Sequence, residues 1–258
     1  MDTEMLERIR TANKIVALTG AGVSAESDVP TFRDAQTGLW ASFNPQELAT
    51  PEAFQRNPRR VWDWYAYRRE KVLSVSPNPG HMALVEMEKR VAPASVPAGR
   101  DAGTTHSSFT LITQNVDGLH QRAGSQNVIE LHGNISRVKC SIDDLLVAEW
   151  QTDADGLARC PRCNGLLRPD VVWFGEMLPR SALEASFAAS ENASVFFSIG
   201  TSSVVHPAAS LPMLALARGG IVIEINPEET ALTESATYSL RGKSGEILPE
   251  LVQTVWGR

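Results

Sequence analysis

The segment IVALTGAGVSA, residues 15–25, decides the fold class of this chain. It joins a four-residue apolar run, Ile15 to Leu18, to a turn that contains Gly20 and Gly22. Such a run followed by a glycine turn is typical of a buried strand that leads into a helix. Glycines let the backbone turn tightly and bring its N–H groups close to a phosphate. An ordinary glycine turn between a strand and a helix would give the same pattern.

The residues after this turn do not continue as they would in a dehydrogenase. That fold would extend the helix and reach a second strand that ends in an acidic residue about 20 residues on. Here Pro30, which has no N–H and restricts Val29, interrupts the helix after little more than one turn. The segment therefore predicts a nucleotide phosphate site and disfavours hydride transfer.

Polar side chains follow a second apolar run further along the chain. Residues 110–120 read TLITQNVDGLH, so Gln114, Asn115 and Asp117 come directly after this run. His132 stands at the end of another short run, in the segment IELHG. Because parallel strands of an α/β sheet present their carboxyl ends at one edge, these side chains are expected to share an active site.

The fold class predicted from these runs is α/β, a Rossmann-like doubly wound parallel sheet. Two further β-branched runs, 193–199 and 220–225, are expected to be strands of the same sheet. Residues 1–258 are expected to form one catalytic domain. Its predicted parts are a Rossmann-like part at 1–136 and 169–258, a helical insertion at 34–77 and a small cysteine module at 137–168.

Helices and one loop complete the predicted organisation. Apolar spacing predicts helices over residues 61–73 and 82–90, the second preceded by a turn at residues 78–81. Residues 92–108 are rich in Ala, Pro, Ser, Thr and Gly and are expected to form a loop insertion without a catalytic role.

Size and charge exclude several classes of protein. The 258 residues suit one sizeable domain with a smaller insert, and no apolar run approaches the ~20 residues of a membrane span. A net charge of −6 argues against strong nucleic-acid binding. The acidic start of the chain carries no signal-peptide pattern. We therefore expect a cytoplasmic monomer without nucleic-acid or membrane partners.

Taken together, the motifs resemble the sirtuins, the NAD-dependent protein lysine deacylases, and within them the bacterial class III enzymes. The matching segments occur in the order of the family and run across nearly the whole chain. They are GAGVS at 20–24 with Ser27, Val29, Pro30, Phe32 and Arg33, TQNVDGLH at 113–120, ELHG at 130–133, RPDVVWFGE at 168–176, GTS at 200–202 and IN at 225–226.

The resemblance implies that NAD is consumed as a co-substrate. In sirtuins the oxygen of an acyl-lysine attacks the sugar carbon that carries nicotinamide, and nicotinamide leaves. A histidine, matched here by His132, then acts as general base on a ribose hydroxyl that attacks the trapped acyl carbon. Histidine suits this step because its ordinary pKa lies near the working pH. The products are free lysine, nicotinamide and O-acyl-ADP-ribose.

The resemblance also implies which residues contact NAD. Asn115 and Asp117 are expected to share in catalysis with His132, because an amide and a carboxylate can order the nicotinamide end. Phe32 and Arg33 match a flexible flap. The complete expected set is Gly20, Ala21, Gly22, Phe32, Arg33, Gln114, Asn115, Asp117, Gly200, Thr201, Ser202, Asn226 and Ser244. For the last four residues, ordinary capping of strand ends is an alternative.

A tyrosine and an arginine point to the acyl group. Tyr65 and Arg68 stand three residues apart, so they share one face of the predicted helix. They match the pair that marks class III sirtuins, which prefer succinyl, malonyl and glutaryl lysine over acetyl lysine. Arginine can hold a carboxylate with two hydrogen bonds, and tyrosine adds a neutral donor. A solvated Tyr/Arg helix face is the alternative.

The acyl-lysine protein or peptide is expected to bind as an added strand. The segment that matches the peptide-binding edge of the family contains Val172, Phe174, Gly175 and Glu176. Pairing through backbone groups explains tolerance of many peptide sequences, because side chains are hardly recognised.

The cysteines are clustered and odd in number, which favours a metal site over a disulfide framework. Cys160 and Cys163 have the spacing of half a zinc site. Cys140 and Asp143 repeat that spacing, with Asp where the family usually has cysteine. We expect one structural zinc held by these residues, with water or Asp144 as alternative fourth ligands. A vestigial module held by its own packing would have the same sequence.

Two rival functions are consistent with the same motifs. One is a sirtuin-like mono-ADP-ribosyltransferase, against which Tyr65, Arg68 and His132 argue. The other is a non-catalytic sensor of NAD or ADP-ribose, which would require loss of His132 or of the Asn-Val-Asp segment. His81 is expected to cap a helix and His120 to support the active-site loop, neither as a catalyst.

Overall fold

The computed structural model describes residues 1–30, 44–91 and 108–257. The predicted flap residues Phe32 and Arg33, and residues 92–107 of the predicted loop insertion, lie outside the described residues. Within the described ranges, no helix has both the length and the apolar character needed to cross a bilayer.

The described strands and helices alternate along most of the chain. The strands are β1 (Lys14–Thr19), β2 (Ser108–Thr113), β3 (Val128–Glu130), β4 (Gly133–Cys140), β5 (Leu167–Val171), β6 (Val195–Ile199), β7 (Ile221–Asn226) and β8 (Tyr238–Arg241). The helices are α1 (Thr3–Arg10), α2 (Ala21–Ala25), α3 (Pro51–Arg56), α4 (Pro58–Ser74), α5 (Pro79–Val91), α6 (Leu119–Ala123), α7 (Arg180–Glu191), α8 (Leu211–Ala217) and α9 (Ser244–Trp256). Short 3-10 helices span Pro45–Glu47 and Ala208–Ser210.

Six strands form one parallel sheet in the order β3-β2-β1-β6-β7-β8. The winding reverses between β1 and β6, which lie side by side although far apart in sequence. The last residue of β1, Thr19, is level with Thr113 of β2 and with Ile199 of β6. The strand ends therefore meet at one edge, beside the crevice where an open α/β sheet binds its ligand. This confirms the predicted doubly wound parallel sheet.

Alternate residues of each strand pack on opposite faces of this sheet. Ile15 and Ala17 of β1 belong to a core shared with α1, α5 and α9. Val16 and Leu18 belong to a second core that includes residues of α8. All four side chains are buried, so the centre of β1 is apolar on both faces, as expected for a central parallel strand.

The helical insertion and the cysteine module pack on each other through a separate antiparallel pair, β4 and β5. Residues of α3 and α4, among them Phe54 and Tyr65, share an apolar cluster with Ile135, Val171 and Trp173. A neighbouring cluster joins Trp62 of α4 to the buried cysteines of the module. Helix α4 thus connects the cysteine module to the segment that is predicted to bind the peptide.

Helix α5 begins earlier than the sequence predicts. Residues 78–81 were expected to form a turn, but Pro79 is the first residue of the helix. The Asn78 side chain accepts hydrogen bonds from the N–H groups of Gly80 and His81, so it caps the helix. Proline is well suited to the first helical position because the N–H that it lacks would have no partner there.

Candidate active site

The predicted site residues follow the ends of neighbouring parallel strands. Gly20 follows β1, Gln114 follows β2, and Gly200 follows β6. The Gln114 side chain donates to the Thr201 hydroxyl at 3.0 Å, and the Asn226 side chain donates to the Thr201 carbonyl at 2.9 Å. These bonds join the ends of β2, β6 and β7 into one polar rim around the crevice.

Two loops approach each other at the bottom of this rim. The Gly22 N–H donates to the Gly200 carbonyl at 2.8 Å, and a Cβ added at Gly22 would lie 2.8 Å from backbone atoms of Gly200. A Cβ at Gly20 would meet Gly200 and Thr201 at the same distance. The glycine turn is therefore required by loop packing as well as by any phosphate.

A buried cluster links the carboxylate and amide that follow β2 to helix α2. The Asn115 side chain donates to the Gly20 carbonyl at 3.0 Å and to the Ser24 hydroxyl at 3.1 Å. Ser24 in turn donates to the Asp117 carboxylate at 2.8 Å, whose other oxygen accepts from the Leu119 N–H. Burial raises the pKa of Asp117, and these hydrogen bonds oppose the rise.

His132 lies between β3 and β4, with its ring held by one strong contact. Its Nδ1 is 2.9 Å from the Gln114 carbonyl oxygen. Because a carbonyl only accepts, the hydrogen-bonded tautomer carries its proton on Nδ1 and leaves the Nε2 lone pair available. Burial lowers the pKa of His132, although the carbonyl contact partly raises it. The neutral ring at pH 7 is therefore suited to accept a proton.

Tyr65 and Arg68 lie on one face of α4, as the spacing predicts. The Tyr65 ring is 2% exposed, and burial raises the pKa of Tyr65 to about 12. The Arg68 guanidinium carbon lies 4.7 Å from the Trp64 ring centre and 5.7 Å from that of Tyr65. Burial lowers the pKa of Arg68, while the charge of Asp117 raises it. Arg68 therefore interacts electrostatically with Asp117 of the buried cluster.

The segment that is predicted to bind the peptide is hydrogen-bonded to the backbone of His132. The Val172 N–H donates to the His132 carbonyl at 2.9 Å, and the Phe174 N–H donates to the Ala49 carbonyl. Phe174 is half exposed, and Gly175 has a φ of +86°. Glu176 instead bonds to the Arg168 guanidinium of β5 and to the backbone N–H of Trp173. Its contact with substrate remains a prediction.

The remaining predicted NAD residues lie in two places, at the crevice and at the start of α9. Gly200, Thr201 and Ser202 border the crevice, where Asn226 also ends β7. Ser244 begins α9, and its hydroxyl donates to Glu26 at 3.2 Å. Gly20 caps the start of α2 and Glu26 caps its end. Ser244 therefore lies at the end of α2 that is opposite the glycine turn.

Comparison with protein families identifies the architecture. The model of the Sir2 family matches residues 20–207, which is more than half of the chain. The chain belongs to the Sir2 family.

Similar proteins extend over the whole length of this Sir2-family chain. The NAD-dependent protein deacylase 1 of Archaeoglobus fulgidus is 49% identical over 256 residues, covering 99% of this chain and 98% of the relative. The crystal structure of a Sir2 homologue in complex with NAD is 49% identical, with a TM-score of 0.86 and coverage of 99% and 94%. Sir2Tm bound to a propionylated peptide is 29% identical, with a TM-score of 0.77 and coverage of 97% of both chains.

The cysteine module of this Sir2-family protein brings three thiols together. The sulfur atoms of Cys140, Cys160 and Cys163 all lie within 4.8 Å of one another, and those of Cys140 and Cys163 are 3.5 Å apart. Tetrahedral zinc at about 2.3 Å from each sulfur would place neighbouring sulfurs about 3.8 Å apart, so the cluster fits that metal. Asp143 is outside this group of ligand atoms. Its carboxylate accepts from the Leu145 N–H and pairs with Arg162.

Two buried histidines of this Sir2-family fold, His81 and His120, form a pair that the sequence did not predict, although His81 was expected to cap a helix and His120 to support the active-site loop. The rings of His81 and His120 are 4.8 Å apart, and His120 Nε2 is 2.9 Å from the Thr19 hydroxyl. Burial lowers the pKa of His81 to about 4 and that of His120 to about 3. Both rings are therefore neutral at pH 7. Their contact joins α5 to α6, and no spacing in the sequence shows it.

Proposed function

We propose that this Sir2-family protein is an NAD-dependent protein lysine deacylase. The observation that carries the proposal is the orientation of His132, whose Nδ1 contacts a carbonyl beside the crevice at the strand ends. The deacylase name of a relative that is 49% identical supports it. So does the NAD complex of a Sir2 homologue with the same fold.

Some residues around the crevice bind NAD, and His132 transfers the proton. NAD supplies the ADP-ribose group that accepts the acyl group. The loops at Gly20, Gly22 and residues 200–202 border the crevice, where the hydroxyls of Thr201 and Ser202 suit phosphate and ribose oxygens. The N–H groups of Gly20, Gly22 and Gly200 already donate to backbone carbonyls of the protein. Asn115 and Asp117 order the nicotinamide end. His132 takes the proton of a ribose hydroxyl at Nε2, because Nδ1 is already protonated and held.

The acyl group that these residues favour is acidic. Tyr65 lies in an apolar cluster, and the Arg68 guanidinium lies against the rings of Trp64 and Tyr65, where a charged hydrogen bond is stronger than in water. A succinyl or malonyl tip offers the Arg68 guanidinium two carboxylate oxygens in the geometry that it matches. Acetyl lysine lacks this tip and gains nothing from the pair. We infer that acidic acyl groups are removed faster than acetyl groups.

The three-cysteine cluster holds one structural zinc in this proposal, with Asp143 as the predicted fourth ligand. Zinc would supply a crosslink between the two halves of the module and no catalytic position. A monomeric state, a cytoplasmic location and the absence of nucleic-acid partners stay predictions from the sequence.

The test of the activity is mass spectrometry of matched acetyl, malonyl and succinyl lysine peptides incubated with NAD. Wild-type protein should yield nicotinamide and O-acyl-ADP-ribose. His132→Asn keeps an N–H that can donate to the Gln114 carbonyl but has no base, so deacylation should fall about 10²- to 10⁴-fold. Thermal unfolding of the variant checks that the fold is retained.

Other outcomes of this experiment would select the rival functions. Incorporation of labelled ADP-ribose into protein without release of free lysine peptide would identify a mono-ADP-ribosyltransferase. Binding of NAD without turnover of any peptide would identify a sensor. Full deacylation by His132→Asn would remove the proposed mechanism.

A further inference from the structure

The Tyr65 hydroxyl is held by Trp173, which follows β5. The indole N–H of Trp173 donates to the Tyr65 oxygen at 3.0 Å. Both side chains are buried, with exposed fractions of 3% and 2%. Trp173 reaches Tyr65 across the interface between β5 and α4, so two elements far apart in sequence meet at this contact.

The direction of this hydrogen bond determines what Tyr65 can do. An indole N–H is a donor only, so it must use a lone pair of the tyrosine oxygen. The phenol proton is not consumed by this contact and can be donated to another acceptor. A carboxylate is such an acceptor and has no proton of its own to offer. The Trp173 contact therefore fixes the Tyr65 oxygen through a lone pair and leaves its O–H to be donated, as an acidic acyl group requires.

Trp173 is itself rigidly held. The Arg168 guanidinium carbon lies 3.4 Å from the centre of the Trp173 ring. Arg168 forms two hydrogen bonds with the Glu176 carboxylate, at 2.5 and 2.8 Å, and Glu176 also accepts from the Trp173 N–H at 2.7 Å. Phe54 packs on the indole with ring centres 5.3 Å apart. This bracing fixes the direction in which the indole N–H points.

We propose that Trp173 is a positioning residue for acyl selection, which holds the Tyr65 hydroxyl with its proton available to the carboxylate of an acidic acyl group. This inference rests on the proposed preference for acidic acyl groups and assigns part of that preference to the peptide edge. Trp173 acts through Tyr65 and is not itself a contact of the acyl group.

The experiment compares Trp173→Phe, Tyr65→Phe and the double variant, each with succinyl and acetyl peptides. Trp173→Phe keeps an aromatic ring for Arg168 to cover and removes the N–H. It should raise the KM for the succinyl peptide about 5-fold, as expected for one net hydrogen bond, and leave kcat and deacetylation within about 2-fold. In the Tyr65→Phe background it should cause no further change, because the hydroxyl that it positions is gone.

Trp62→Phe is the matched control. Trp62 is a buried indole on the same helix, but it packs edge-on against Trp150 in the cluster beside the cysteines. Its replacement should lower stability without altering the ratio of desuccinylation to deacetylation. Thermal unfolding of all variants separates a loss of fold from a change in acyl preference.

Two results would overturn the inference. One is an equal loss of both activities in Trp173→Phe, and the other is an additive effect in the double variant. Either result, with a wild-type protein that prefers succinyl peptide, leaves the proposed function intact. If wild-type protein shows no preference for succinyl over acetyl peptide, the proposed acyl preference fails and the inference fails with it.

Discussion

Arg68 is the residue on which the proposed acyl preference depends most. It is surrounded by the aromatic rings of Trp64 and Tyr65, and its charge interacts with Asp117. A guanidinium keeps its charge even where burial lowers its pKa, because that pKa starts above 12. A lysine at this position would lose the two-pronged geometry that a carboxylate needs.

We expect Arg68→Met to lower desuccinylation by about 10-fold or more and to spare deacetylation, since it removes charged hydrogen bonds that only the acidic acyl group makes. Initial rates with matched succinyl and acetyl peptides measure both effects. Lys71→Met, at an exposed position of the same helix, is the control and should change neither rate. Equal loss of both activities in Arg68→Met would contradict the assigned role.

For His132, the sequence predicted the role of the residue but not its tautomer. Its position after an apolar run, and its match to the family, marked it as the base. The tautomer could not be predicted, because it depends on the Gln114 carbonyl, which is 18 residues away in sequence. The sequence likewise could not show that Glu176 bonds to Arg168 of β5.

At the level of elements, α5 and α6 are joined by the His81 and His120 pair. Sequence analysis expected a helix cap at His81 and loop support from His120. His81 does contact the start of α5, since its Nδ1 is 3.3 Å from the Asn78 N–H. The ring contact between the two histidines depends on how the helices pack, and both rings must stay neutral there because burial lowers their pKa values.

This pair should make stability depend on pH. The folded pKa values, about 4 and about 3, lie below the ordinary value of about 6.5, so the unfolded chain binds more protons below pH 6.5. The stabilisation is present above that pH and is lost as pH falls toward the folded values. Between pH 7 and pH 5, His120 alone should account for about 2 kcal/mol of lost free energy of unfolding.

Urea unfolding at both pH values, for wild type and His120→Gln, measures this effect. The glutamine variant should lose less stability between pH 7 and pH 5 than wild type does. His206→Gln, at an exposed histidine, is the control and should keep the wild-type dependence. A wild-type dependence that persists unchanged in His120→Gln would remove the explanation.

On the scale of the whole molecule, the cysteine module and the sheet are connected through α4. Cys140, Cys160 and Trp62 share one apolar cluster, and Tyr65 of the same helix lies in the next. Loosening of the module would therefore be transmitted to the acyl residues. A structural metal that crosslinks the module would stabilise the entire chain.

We expect about one zinc per chain in gently purified protein, by elemental analysis. Cys163→Ser should reduce the zinc content and lower the midpoint of thermal unfolding by about 4 °C or more, which for this chain length corresponds to 1–2 kcal/mol. Asp143→Asn should weaken zinc binding, whereas loss of zinc in Asp144→Asn instead would assign the fourth position to Asp144. Protein that contains no zinc would contradict the metal site.

The amino-acid sequence alone determined the fold class, the glycine turn and the family. These features are local or repeated: apolar runs mark buried strands, glycines mark close approaches, and short motifs keep their order along the chain. The Cys160 and Cys163 pair and the Tyr65 and Arg68 pair could be located for the same reason, because the two residues of each pair are close in sequence. The start of a helix is harder to predict from sequence. Capping by Asn78 makes α5 begin at Pro79, about one turn before the predicted start.

Only the tertiary structure decided the contacts that orient these side chains. The tautomer of His132, the buried bonds between Asn115, Ser24 and Asp117, and the donation from Trp173 to Tyr65 all join residues far apart in sequence. Hydrogen-bond direction and burial depend on which atoms the packed elements bring together, and neither is encoded in the spacing along one strand or helix.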